Sequence, residues 1–446
     1  MRILQVNTAD RGGGAEGSAW NLFDRYRAAG QQSWLAVGRK YSNDPDVLEI
    51  PRGRAPSAVG RLLQHGADAA RSQEGRLPGM RCLARGLDRL AWPERLADWW
   101  HGRDETQFPG CADLPGLCPA PPDIIHCHNL HGWYFDLGVL PGLSQSQPLI
   151  LNLRDSWAIT GHCAYFVDCE RWRQGCGNCP HLDVYPACRR DATAANWQRK
   201  AAIYAQSRLY VTAPSQWLLA QAQQSMLPAA EYRVIANGID TACFRPGDRA
   251  AARAALGLPA DAPTVLFASA SSKNIYKDPA TMAQAILAMT ERVPSLQVLC
   301  VGAALPDRAL RHLAIRQLAY VRDPQKMAQL YRAADLFVHT AKAEAFGKTV
   351  TEAMACGTPV VASAVGGIVE QIIAGETGFL CPAGDAAGMA DAAVEFFAAD
   401  ADRRAAMRAS AAQRGACFSL DRQVRAFLGW YEEILAQEPW RGRTGG

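Results

Sequence analysis

Twice in this chain an apolar run of strand length opens into a loop of small residues and then a helix. MRILQVNT leads to Gly12, Gly13 and Gly14 and an apolar-periodic helix through Trp20, Leu22 and Phe23; TVLFASAS, Thr264 to Ser271, leads to a helix from about Pro279. Between and after these openings, DIIHCH, PLILNL, LYVTAPS, LQVLCVG, DLFVHT and PVVAS read as buried strands, and helical patterns separate most of them. Strands alternating with helices build parallel sheets covered on both faces. Two such openings therefore imply two doubly wound α/β domains, with ligands at the carboxyl ends of the strands.

The length of 446 residues leaves room for two to three domains, and 49% apolar with 20% charged residues suits a packed globular protein. A net charge of +4 is too mild to imply nucleic acid as a partner. The opening residues lack a signal-peptide pattern and no apolar run reaches the roughly 18 residues of a membrane span, so a cytoplasmic location is expected. The joint between domains falls near YRVIANGIDTACFRPGD, where Asn237-Gly238 and Arg245-Pro246-Gly247 supply turn chemistry.

The segment EAFGKTVTEAMACGTPVVASAVGG places Glu344 and Glu352 around a turn that leads into a helix, with seven residues between them. A helix opening near Phe346, Gly347 and Lys348 points unpaired N–H groups and its positive dipole end at an anion such as a diphosphate. The two carboxylates lie roughly 12 Å apart along the helix axis, too far to share a metal ion or a proton, so they touch different parts of one extended ligand.

With CGTPVVAS, GGI and ETGFL following, this segment resembles the retaining glycosyltransferases of the GT-B fold, whose signature is Glu, seven residues, Glu. The resemblance implies two facing Rossmann-like domains with an interdomain cleft: residues 1–240 on the acceptor side, 241–419 on the nucleotide-sugar side, and 420–446 as a helix crossing back with its tail. It implies that Glu344 lies beside the donor sugar and Glu352 holds the ribose. It further implies transfer of a hexosyl group from a nucleotide-diphosphate sugar to a glycan or lipid-linked saccharide, in bacterial exopolysaccharide, capsule or O-antigen assembly, without a cofactor for catalysis. The rivals are a nucleotide-sugar epimerase of the same fold and a non-catalytic, zinc-stabilised binding module.

Departures from the family pattern matter here. The phosphate-binding segment reads ASASSKNIYKDP: Lys277 matches the family Lys, Asp278 replaces a Gly, the family Arg is missing, and Lys273 is its candidate substitute. Lys348, with the Gly347 and Phe346 backbone, completes the donor candidates on that side. Gly13 and Gly14 are candidate donor contacts in the loop after the first strand, where the absence of a side chain lets backbone approach a ligand. In PLILNLRDSW, Arg154 stands where the family carries a histidine; it cannot act as a base, but it can clamp a phosphate or contact the sugar. His131 is the candidate acceptor contact, and His126 reads as a structural histidine.

Between residues 157 and 188 lies a cysteine-rich insertion, TGHCAYFVDCERWRQGCGNCPHL. Cys163, Cys169, Cys176 and Cys179 suffice to enclose one structural zinc, which would supply the folding free energy of a short polar loop. An iron–sulfur cluster on the same ligands, or four free thiols in a packed loop, are the alternatives. A subset of the family linked to polysaccharide assembly carries a similar insertion. Finally, GMRCLARGLDRL sets Met80, Leu83, Leu87 and Leu90 on one stripe with Arg81, Arg85 and Arg89 away from it. It is either a surface helix packed on its own domain or a peripheral contact with the anionic inner membrane face.

Overall fold

The structure is a computed structural model that describes residues 1–51, 57–73, 77–104, 106, 108–269, 275–302, 310, 313 and 315–437. Lys273, the side chain of Arg81 and the tail from residue 438 lie outside the described residues. The chain divides into two units: Met1–Thr212, Gln221–Arg233 and Tyr431–Gly446 form the first; Ala213–Ala220 and Val234–Trp430 form the second.

The first unit is built on β1 (Arg2–Ala9), β2 (Gln32–Arg39), β3 (Val47–Glu49), β4 (Ile124–Cys127), β5 (Leu149–Asn152), β6 (Leu209–Ala213) and β7 (Glu231–Val234). Their order is β3-β2-β1-β4-β5-β6-β7. The pairings of β1 with β2 and β4 are parallel, as are β4 with β5 and β5 with β6. The strand order reverses between β1 and β4, so the loops leaving those two strands diverge and open a crevice at their carboxyl ends. The loop after β4 carries His128 and His131, and the loop after β5 carries Arg154 and Asp155.

The second unit holds β8 (Thr264–Ser269), β9 (Gln297–Gly302), β10 (Ile315–Leu318), β11 (Leu336–His339), β12 (Val360–Ser363) and β13 (Gly378–Cys381), in the order β10-β9-β8-β11-β12-β13 with all five pairings parallel. Its strands are apolar at consecutive positions because both faces are covered. Leu266, Leu299, Phe337 and Val360 pack in one core. Their neighbours Val265, Phe267, Val298, Leu336, Val338 and Val361 pack in the other. Here the reversal falls between β8 and β11, which brings Lys277 and Glu344 to the same end of the sheet.

The final helix, Leu420–Gln437, is divided between the units: Trp430 ends the second and Tyr431 resumes the first. Tyr431 is fully buried, and its hydroxyl meets that of Tyr26 at 3.1 Å and the Nδ1 of His126. The helical segments Ala58–Ser72 and Met80–Leu90 pack on each other. Arg89 lies 4.1 Å from the ring centre of Trp99, so this arginine is spent on an internal cation–π contact. Val59, Leu62, Leu83 and Leu90 remain exposed on the pair. Among the described residues no helix is long and apolar enough to cross a membrane.

Candidate functional site

In the second unit the loops after β8 and β11 are tied together by backbone. Thr340 Oγ1 donates to the Lys277 carbonyl at 2.9 Å, and the Lys342 N–H donates to the Tyr276 carbonyl at 2.8 Å. Lys277 then reaches the Glu344 carboxylate as a charge-assisted hydrogen bond, with His339 Nε2 4.0 Å from the same oxygen. Burial alone would raise the Glu344 pKa, but Lys277 foremost, with the Phe346 N–H, outweighs it and holds the carboxyl below its usual value. Burial, reinforced by Lys277, pushes His339 down to about 4, so its imidazole is neutral. A carboxylate, an ammonium and a neutral imidazole thus meet at the carboxyl ends of two adjacent parallel strands.

Asp278, where the family has glycine, adopts φ 44° and ψ 64°, the left-handed conformation that explains a glycine preference there. Its carboxylate accepts from Thr281 Oγ1 at 2.7 Å and caps helix Pro279–Arg292, which offsets the backbone cost.

The helix Lys348–Ala355 begins one residue after Gly347, which sits at φ 89°. Glu352 therefore lies just over one turn into the helix, and Glu344 lies before it, so their separation is not a distance along one helix axis. It is half-buried beside Tyr331, whose hydroxyl donates to it at 3.4 Å, and Lys348 Nζ lies 4.0 Å away one turn back. Burial raises the Glu352 pKa, with Lys348 and Tyr331 opposing. Phe346 turns its ring inward against Phe418, with centroids 5.7 Å apart, so its contact with a ligand would run through the backbone. The GGI segment presses on the same loop. A Cβ on Gly366 would fall 1.9 Å from the Glu344 carbonyl oxygen, and one on Gly367 2.3 Å from that of Ala345. Only glycine fits, and Gly367 N–H donates to the Glu344 carbonyl at 3.0 Å, which fixes the acid's backbone.

In the first unit a small recess is lined by His128, Asn129, His131, Asn152, Arg154, Asp155 and Trp157, among others. Arg154 Nη2 donates to His128 Nδ1 at 3.0 Å, and His128 Nε2–H donates to Gln5 Oε1 at 2.8 Å. His126 stacks on His128 with centroids 4.2 Å apart, accepts from Asn152 Nδ2 at 3.0 Å, and turns Nδ1–H to Tyr431. Burial first, then nearby Arg154, pushes the pKa of His126 well below its usual value; His128 follows the same direction, and both imidazoles are neutral. His131 Nε2 bonds Asp155 Oδ2 at 3.0 Å, and its ring packs beside Trp157. Gly13 caps the helix Gly14–Ala28 and its N–H donates to Glu16 Oε2 at 2.9 Å; neither Gly13 nor Gly14 lines the recess.

In the cysteine-rich loop, Cys176, Gly177 and Asn178 all have positive φ, which folds C-x-x-C into a tight turn. Cys179 Sγ lies 3.4 Å from His162 Nε2, and the Gly161 N–H donates to Cys176 Sγ at 3.3 Å. Burial raises the thiol pKa of Cys163 to about 12 and of Cys176 to about 11. Among the described residues, no three His, Cys, Asp or Glu side chains are gathered closely enough to hold a metal ion. Beneath the loop, fully buried Lys200 donates to the carbonyls of Trp157 and Thr160 at 2.9 and 3.0 Å and pairs with Asp104 at 3.3 Å.

Sequence reasoning passed over His339 and Tyr331 as site residues. A histidine ending the otherwise apolar strand DLFVHT was a usable signal; Tyr331 is recognisable only through a partner distant in sequence.

Residues 262–399 match the family model described as glycosyl transferases group 1. The chain is 35% identical over 220 residues to a D-inositol 3-phosphate glycosyltransferase of Mycolicibacterium paratuberculosis, covering 47% of this chain and 48% of that protein. Likewise it is 35% identical over 231 residues to one from Mycobacterium bovis, covering 49% and 47%. These alignments span about half the length of the curated relatives. Across 98% of the chain the fold is that of sucrose-phosphate synthase from Thermosynechococcus elongatus, at TM-score 0.65, 20% identity and 99% of that structure. It is likewise the fold of HepE from Anabaena in complex with UDP-glucose, at TM-score 0.61, 18% identity and the same coverage of both chains. The chain thus has the GT-B fold, and its residues 262–399 belong to the group 1 glycosyltransferases.

Proposed function

We propose that this protein transfers a sugar, with retention of configuration, from a nucleotide-diphosphate sugar to a saccharide or lipid-linked saccharide acceptor, in bacterial exopolysaccharide, capsule or O-antigen assembly. The observation that carries the reading is the pairing of Lys277 with Glu344 at the strand reversal of the second unit, beside the opening of helix Lys348–Ala355. Charge builds on the leaving diphosphate as its bond to the sugar breaks, and the Lys277 ammonium with the helix-opening N–H groups stabilises it without metal. Glu344 would accept from donor-sugar hydroxyls and Glu352 from the ribose. His131, steadied by Asp155, would meet the acceptor, and Arg154 the sugar or phosphate. The UDP-glucose complex of HepE, whose fold is shared, supports a nucleotide-sugar donor.

Thermal stabilisation by UDP, GDP, ADP, TDP and their sugars, on the unmodified chain and on Glu352→Ala, tests it. One nucleotide family should stabilise the protein, by roughly 2.7 kcal/mol at a hundred times its dissociation constant, and the variant should lose the effect. No response from folded protein to any of them would overturn the proposal.

Two further assignments belong to the same proposal. The cysteine-rich loop is read as a structural zinc site from the spacing of Cys163, Cys169, Cys176 and Cys179 and its tight C-x-x-C turn, although their thiols are not gathered closely enough in this structure to hold the ion. The exposed apolar side chains on helices Ala58–Ser72 and Met80–Leu90, with exposed Arg61 and Arg85, meet the anionic inner membrane face.

A further inference from the structure

We infer that Ser215 is a positioning residue for the Glu344 carboxylate, acting through the peptide group that joins Ala345 to Phe346. The inference rests on the glycosyl-transfer reading and deepens it by adding a residue to the donor-sugar end of the site.

Ser215 stands between β6 and the helix Gln216–Gln223, in the stretch Ala213–Ala220 that belongs to the second unit. It is fully buried, and its hydroxyl donates to the Ala345 carbonyl at 2.7 Å while accepting from the Leu218 N–H at 3.3 Å. A trans peptide is planar, with its C=O and N–H on opposite sides, so holding the Ala345 oxygen also sets the direction of the Phe346 N–H. That N–H acts on the Glu344 carboxylate, where it joins Lys277 in keeping the acid ionised. A carbonyl that accepts a hydrogen bond makes its own peptide N–H a better donor, so the serine strengthens this contact as well as aiming it.

The neighbouring peptides are held separately. The Glu344 carbonyl accepts from the Gly367 N–H at 3.0 Å, and the Phe346 carbonyl accepts from Gln371 Nε2. Three consecutive carbonyls thus have three donors, and the one from Ser215 sits on the peptide whose N–H serves the acid. Ser215 is fixed in its turn. Glu370 receives the N–H groups of Gln216 and Trp217 at 2.8 and 2.7 Å, and Arg414 holds the carbonyls of Glu370 and Gln371 at 2.6 and 2.9 Å. A Cβ on Gly367 would fall 2.8 Å from the Ser215 Cβ, so the two segments are in close contact. The charged and titratable groups that face Glu344 are Lys277 from the loop after β8 and His339 at the end of β11, and both are kept in the variants below.

The test measures turnover against pH, thermal unfolding and amide exchange for the full chain, Ser215→Ala, Ser215→Cys and Gln371→Met, with the donor found by the nucleotide panel. Ser215→Ala should lower kcat by about tenfold to a hundredfold and leave the donor KM within about threefold, because Glu344 loses its alignment while Glu352 and Lys277 still hold the donor. The acid limb of its kcat profile should move to higher pH by about half a unit, since losing the N–H contact raises the pKa of Glu344. Gln371→Met, which frees the next peptide, should leave that limb in place. Ser215→Cys, of similar size and with a weak S–H donor, should follow Ser215→Ala to a smaller extent, and it decides if the alanine variant does not fold. An unchanged kcat in the Ser215 variants overturns the inference. So does a loss of kcat with the acid limb unmoved, which would make the serine a structural residue, or a limb that moves as far in Gln371→Met. If the unmodified chain turns over no nucleotide sugar, the glycosyl-transfer reading falls and hydrogen exchange decides the positioning role alone. Residues 344–350 should then exchange at least about tenfold faster in Ser215→Ala while the rest of the second unit is unchanged, and equal exchange overturns it.

Discussion

Lys277 donates to Glu344 between loops that leave adjacent parallel strands, so the cation proposed for a diphosphate and the acid proposed for a sugar are paired with each other. Glu344→Gln keeps the shape of the side chain while removing its charge. Turnover should fall by about a hundredfold, the scale at which one electrostatic contact in a water-poor site is lost. Steady-state kinetics with the donor found by the nucleotide panel checks this; a change below threefold would remove Glu344 from the chemistry.

Gly366→Ala should destabilise the second unit by about 2–4 kcal/mol. The new methyl would collide with the Glu344 carbonyl oxygen, and the backbone is at φ 52°. Thermal unfolding measures the loss. Gly384→Ala, also at positive φ but with open space around its Cβ, is the control that separates backbone conformation from collision and should cost less.

Stability should fall on mild acidification, before ordinary carboxylates titrate. His339 has a folded pKa of about 4, below the unfolded value near 6.5. The unfolded chain therefore binds the extra proton first, and stability contributed by neutral His339 is present above pH 6.5 and lost as pH falls towards 4. Glu344, also depressed, adds a loss that begins only below its unfolded pKa near 4.5. His126 and His128 act in the same direction as His339. Denaturant unfolding at pH 7 and pH 5 should show a difference of a few kcal/mol, smaller in His339→Gln.

Metal analysis of protein purified without added zinc should find one zinc per chain, and Cys179→Ser should lose it together with several degrees of thermal stability. A metal-free protein of unchanged stability would leave four thiols in a packed loop.

Flotation with vesicles containing anionic lipid should carry the unmodified chain upward, and Leu62→Glu with Arg85→Glu should abolish it. Absence of flotation in the unmodified chain would return these helices to an internal role.

Much of the second unit could be read from sequence because its strands are covered on both faces, so apolar runs such as VLFA and LFVH are unbroken. Glu344 and Glu352 were singled out by their spacing, although counting that spacing along a helix axis put Glu344 on a helix that begins only at Lys348. Phe346 shows the limit: an aromatic beside a glycine reads as part of a ligand loop, yet its ring packs on Phe418, a partner that no local pattern indicates. Arg154 was singled out as an exception to a family pattern. What holds it, His128 and behind that Gln5, depends on the side-by-side register of β1, β4 and β5. Buried Lys200 went unnoticed because a lysine in a helix ordinarily faces water.

The buried hydroxyl of Tyr431 has a consequence for synthesis. During translation the strands of the first unit are complete long before residue 431 leaves the ribosome, and until then His126 Nδ1–H and the Tyr26 hydroxyl lack the partner they have in the finished protein. The first half of the chain is thus made early and finished last, and a nascent chain stopped short of its last helix would hold an open polar hole in an otherwise assembled core.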